Sequence, residues 1–160
     1  MQFLVWLAET GLATCIKESA WTYYTLLGIH AIGMGIVVGS VFMLCLRING
    51  FSRHLPLSLM DDLFRYAWWG FYANLGSGLL LFASNGPNLI VNLPFLLKIT
   101  FIIIGGVFTL LLWRKIEPER EALNQNRAAS IGLKVIAAID FSLWLAAIVA
   151  GRIIAYTIDY

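Results

Sequence analysis

The chain has 160 residues, 60% of them hydrophobic and only 12% charged, with a formal net charge of +2. That balance excludes an ordinary soluble globular domain and leaves room for one compact membrane bundle over 1–160, with no separate soluble part. The small net charge, without a basic patch interleaved with aromatics, excludes a nucleic-acid partner.

Met1 to Leu12 is apolar, carries Phe3 and Trp6, and is too short to span a bilayer. It lacks the basic start and small-residue cleavage pattern of a signal peptide, so an interfacial helix on the bilayer surface is expected. Lys17-Glu18-Ser19 leads into the first apolar stretch, whose core runs from about 20 to 46. About 20 helical residues cross roughly 30 Å of hydrocarbon, so this is a span. His30 lies within it, and a helical projection puts Tyr23, Leu26, Met34, Val37 and Val41 near the same stripe. Gly35 and Gly39 fall on the opposite side as a small-xxx-small pair, expected to pack a neighbouring helix or a second copy of the chain.

Asn49-Gly50 and Pro56 mark the first connection, which also holds Arg47, Arg53 and His54. The second hydrophobic helix runs over 57–84. Asp61, Asp62 and Arg65 occupy its first turns, so the membrane part is expected over about 66–84, with Trp68 and Trp69 at headgroup level. Asn74 sits deeper, where an amide is expected to bond a neighbouring helix. Ser84 to Asn92 is an uncharged connection. The third span, about 93–113, opens with Pro94 in its first turn, where a missing N–H is harmless. Lys98 lies one turn inside it. Arg114 to Arg127 is the most charged segment, with Pro118 ending the helix. The fourth span, about 129–158, contains Asp140, Trp144 and Arg152.

Seven basic residues collect in the first and third connections and their flanking turns: Arg47, Arg53, Arg65, Arg114, Lys115, Arg120 and Arg127. The second connection holds none and the N-terminal segment only Lys17. The positive-inside rule therefore implies an all-α, four-helix up-down bundle in the bacterial inner membrane, with both termini periplasmic. Cys15 and Cys45 lack a CxxC or metal-type spacing and read as free thiols.

Ionisable groups inside a span are costly and need a partner or a purpose. Counted along the helices, His30 lies roughly 15 Å, Lys98 roughly 8 Å and Arg152 about 9 Å below the outer surface. Lys98 and Arg152 can snorkel to the headgroups, and Asp140 can bond Asn74 or a hydroxyl within the bundle. Taken together, the three cations suit an amphipathic dianion such as haem b, with His30 as metal ligand, Lys98 and Arg152 on the propionates, and Tyr23 and Met34 along the same face. His54 lies roughly 25 Å from His30 along the chain, so one chain cannot offer two histidines to one haem. The alternative is a non-enzymatic membrane module or small transporter subunit without cofactor. Neither a GxSxG elbow nor an HExxH motif occurs to support hydrolysis.

The run S-A-W-T-Y-Y, H-A-I-G and L-R-I-N-G, with N-L-P-F-L-L-K at Asn92 to Lys98 and the segment FLVWLAETGLATCIKES, resembles an uncharacterised family of small bacterial four-helix membrane proteins. The likeness covers the first two thirds of the chain well. Where that family usually has an aspartate before the Leu-Arg pair, this chain has Cys45. A more distant likeness, to the bacterial haem-b-binding protoporphyrinogen oxidases and to CopD-like membrane proteins, rests on a helix histidine followed by small residues and a helix lysine after a turn. It implies haem b at His30 and Lys98.

Overall fold

The computed structural model describes residues 2–51 and 55–157, with the Leu57 side chain left aside; Arg53 and His54 lie outside the described residues. The fold is all-α, with no strand among the described residues. Two short helices, α1 (Gln2–Ala8) and α2 (Gly11–Glu18), precede α3 (Ala20–Asn49), α4 (Leu57–Leu89) and α5 (Leu93–Ile116). A single 3-10 turn, Glu117–Glu119, leads into α6 (Arg120–Asn124), and α7 (Ile131–Thr157) closes the chain. Helices α3, α5 and α7 are long and apolar enough to cross a membrane. Helix α4 is as long, but its first turns carry Asp61, Asp62 and Arg65 and its middle carries Asn74 and Ser77.

Local chemistry sets the boundaries. The single interfacial helix expected at the start is two helices, because Thr10 ends one and caps the next. Its hydroxyl donates to Leu7 O at 2.7 Å, and its oxygen accepts from Ala13 N at 3.4 Å. Both helices lie against α4. Ser19 caps α3, accepting from Thr22 N, and Gly50 ends it with φ 91°, a left-handed value that glycine adopts at no steric cost. Asn85 leaves helical geometry (φ −140°, ψ 24°) two residues before Pro87, so the long apolar part of α4 stops at Ser84 and one further turn follows the kink. Asn92 caps α5 through Phe95 N at 3.1 Å, with Pro94 in the first turn. Ser130 accepts from Leu133 N at 3.2 Å and starts α7.

Helix α3 packs along α4, α5 along α7, and α3 also against α7. The α3–α4 crossing is closest at Gly33 and Gly70: a Cβ on Gly33 would stand 2.8 Å from Gly70 O and Asn74 N. The expected Gly35–Gly39 packing face is therefore not the one used within the chain. Both glycines face open space, because the apolar α3 presents its other side to α4 and α7. Gly105 does pack closely, with Trp144 at 3.3 Å from its would-be Cβ, while its neighbour Gly106 is open.

Two apolar clusters stack along the bundle. One, at the end holding the basic connections, joins Leu44, Ile48, Phe64, Leu112, Ile116 and Leu133. The other, at mid-length, joins Met34, Val37, Val38, Val41, Trp144 and Ala147. The region around His30, beyond the second cluster, is built from polar groups instead.

Candidate functional site

Three helices bring their polar side chains together around His30. The close Gly33–Gly70 crossing lets α3 and α4 exchange hydrogen bonds in both directions. His30 Nδ1 lies 2.9 Å from Asn74 O, and Asn74 Nδ2 donates to His30 O at 2.7 Å. A carbonyl only accepts, so Nδ1 carries the hydrogen, and in the neutral ring Nε2 is the acceptor. That acceptor faces Lys98 Nζ of α5 at 2.9 Å. Ser77 Oγ stands 3.2 Å from Nδ1 and donates back to Ala73 O at 2.6 Å. The absence of side chains at Gly78 and Gly151 makes room for this group. A Cβ on Gly78 would sit 3.0 Å from His30 Cε1, and one on Gly151 3.4 Å from Lys98 Cδ. Above the pair, Phe82 and Phe95 stack with ring centroids 5.6 Å apart.

Arg152 does not join His30 and Lys98, so the expected three-cation site is a two-residue site. Gly151 turns toward Lys98, and the next residue, about 100° further round the helix, points outward. There Arg152 Nη2 donates to Tyr156 OH at 3.0 Å and its guanidinium lies 5.2 Å from the Tyr156 ring centroid. Met34 is buried in the mid-length apolar cluster. Tyr23 lines a recess of about 180 Å³ with Lys17, Ser84, Asn85 and Asn88. The residues expected to surround a haem are therefore distributed over separate places, and both nitrogens of His30 already have partners.

Asp140 bonds a hydroxyl, as expected, but the partner is Thr109, while Asn74 is committed to His30. Thr109 Oγ1 lies 2.9 Å from Asp140 Oδ1, 3.0 Å from Gly105 O and 3.0 Å from Trp144 Nε1. Sequence reasoning passed over Thr109. The available signal was Asp140 and Trp144, four residues apart and so on one helix face, both needing a polar partner on the facing helix.

A third polar group at the basic end was also missed. Arg47, counted in the sequence only as a topology charge, is buried, with Nε donating to Leu55 O and Nη2 to Leu123 O, each at 3.0 Å. It ties the connection after α3 to helix α6. Nearby, Arg120 grips Asp61 with two bonds of 3.1 and 2.6 Å and also reaches Glu117. Its guanidinium holds the Asp61 carboxyl below the usual aspartate range, and Asp61 in turn raises Arg120.

Among the described residues no three His, Cys, Asp or Glu side chains gather to hold a metal ion. No protein-family model, curated protein or solved structure matches the chain.

Proposed function

We propose that this protein is a small polytopic protein of the bacterial inner membrane, a four-span up-down bundle with periplasmic termini, working as a proton-exchanging transport module. Helix α4 is the fourth span in this reading, its polar first turns at the cytoplasmic surface. The order of contacts supports the up-down arrangement. Along α3 and α4, His30 meets Asn74 and Gly33 meets Gly70; along α5 and α7, Lys98 meets Gly151 and Thr109 meets Asp140.

One observation carries the transport reading: Lys98 and His30 are hydrogen-bonded inside the bundle, and no described carboxylate lies within ion-pair distance of Lys98. An ionisable group within a span costs about 2.5–3.5 kcal/mol at the bilayer centre, and such groups mark ion and proton pathways. Histidine is the side chain whose charge changes near neutral pH, and here its acceptor nitrogen faces an ammonium donor. The pair can hold and release one proton near the outer surface.

Vesicles containing the purified protein and an internal pH-sensitive dye test this. Under an imposed membrane potential, proton flux is expected in the wild type, lost in Lys98→Met and His30→Ala, and kept in Arg152→Ala. Wild-type flux equal to that of empty vesicles overturns the reading. The haem b reading, which requires Lys98 to leave His30 Nε2, takes its place if the detergent-purified protein shows a Soret band that His30→Ala abolishes.

A further inference from the structure

Asp140 is fully buried, yet its Oδ2 is a buried side-chain oxygen with no hydrogen-bond partner. An ionised carboxylate in that position keeps the Thr109 hydroxyl, with the Trp144 indole N–H nearby, and loses its hydration, which is far costlier than burying a neutral acid.

The arrangement around Thr109 points the same way. Its hydroxyl has one proton to give and two lone pairs. Trp144 Nε1 only donates and fills one lone pair; Gly105 O only accepts and takes the hydroxyl proton. The contact with Asp140 Oδ1 is then satisfied when the carboxyl donates into the second lone pair. With a carboxylic acid, all three contacts of Thr109 are hydrogen bonds at once. With a carboxylate, one hydroxyl proton serves two acceptors.

Thr109 is also exposed to a groove. A cleft of about 350 Å³ opens between α4 and α5, bordered by Asp61 and Arg65, walled by Phe64, Trp68 and Trp113, and lined by Thr109. Among the described residues, the thiol of Cys45 on α3 also lies near Asp140, and Asp61 and Arg65 are the charged groups at the groove.

We propose that Asp140 is a second proton-binding site, a carboxylic acid that donates to Thr109 and exchanges its proton with water in the α4–α5 groove. On release, the carboxyl proton passes to Thr109 Oγ1 as the hydroxyl proton passes to a groove water, leaving a carboxylate; uptake reverses both transfers. Its place as the cytoplasmic end of a proton route rests on the transport reading, whereas its protonation does not.

Infrared spectra of the wild type in vesicles at neutral pH are expected to contain a protonated-carboxyl C=O band that Asp140→Asn removes. Asp140→Glu shifts the band instead of removing it, which guards against a folding defect in the first variant. In Thr109→Val the band moves to higher frequency and its shift in deuterium oxide slows. Identical wild-type and Asp140→Asn spectra in this region overturn the proposal, as does a Thr109→Val band with unchanged position and exchange. In the vesicle assay, loss of flux in Asp140→Asn supports its place on the route, and undiminished flux refutes that place. A band without flux in any protein supports the acid and fails the transport reading alone.

Discussion

The basic end of the bundle and the His30 region both hold cations, and they hold them differently. At the basic end Arg120 is gripped by Asp61 and Glu117, and Arg47 donates to two backbone carbonyls, so these side chains are spent on joining segments. Around His30, every bond of the ring is made, but Lys98 meets an imidazole instead of a carboxylate. A cation held by carboxylates or by main-chain carbonyls of other segments is an architectural tie. One held by neither inside a membrane span carries a cost that stability does not explain, and the proposed transport reading rests on that contrast.

The largest expected effect comes from prising apart the crossing that lets His30 and Asn74 meet. Gly33→Leu forces a side chain onto the α4 backbone and is expected to destabilise by about 3 kcal/mol, because α3 and α4 must move apart and lose the contacts their close crossing makes. Gly35→Leu, facing open space, is expected to leave the melting temperature of the detergent-solubilised monomer unchanged. Equal effects would remove the steric basis of the His30 cluster.

Arg47→Ala tests whether the basic end is a tie. Losing the charged donor to Leu55 O and Leu123 O is expected to cost about 2 kcal/mol in thermal or chemical denaturation. A loss below about 0.5 kcal/mol would show that water replaces Arg47 without penalty.

Asp61→Asn is expected to cost about 1 kcal/mol or less, since both partners of this ion pair are about a third exposed. Its pH dependence has a definite sign. Arg120 depresses the Asp61 carboxyl in the folded state, so the stabilisation is complete above the ordinary aspartate value of 3.8 and fades as the pH falls through the lower folded value. Melting curves across the acid range should therefore converge for wild type and Asp61→Asn as the pH drops.

Among the polar substitutions the smallest effect on stability is expected for Lys98→Met, within about 0.5 kcal/mol, because exchanging a cation without a carboxylate for an apolar chain of similar length removes a desolvation cost along with one hydrogen bond. Large destabilisation would make Lys98 a tie like Arg120 and erase the contrast.

Much of the fold is legible in the sequence because its signals are local. Ser19, Asn49-Gly50 and Asn92-Leu93-Pro94 mark helix ends through backbone chemistry that needs no neighbour. Counting along the helices places His30 and Lys98 toward the same end of the bundle, and the two side chains meet there. The facing of each helix was not. Helix α3 is apolar around its whole circumference, so its sequence offers Gly35–Gly39 and Gly33 equally as packing surfaces. Only the position of α4 selects Gly33, through Gly70. The same lack of an azimuthal signal placed Arg152 with Lys98, when a single step around α7 separates Gly151, which faces Lys98, from Arg152, which does not. Arg47 was legible as a charge but not as a buried anchor, because its partners are main-chain carbonyls far along the chain.

The mid-length cluster of Met34, Val37, Val38, Val41, Trp144 and Ala147 lies between the His30–Lys98 pair and Asp140. In the proposed transport reading, this packed hydrocarbon layer is the barrier that must part for each proton that passes. A voltage applied across the protein falls most steeply over the poorly polarisable layer and little over the polar regions on either side. One elementary charge crossing the full field exchanges about 2.3 kcal/mol per 100 mV. Were the chain to span a membrane as proposed, the His30–Lys98 pair and Asp140 would stand on either side of a thin dielectric layer, and a membrane potential would bias the charge on one relative to the other.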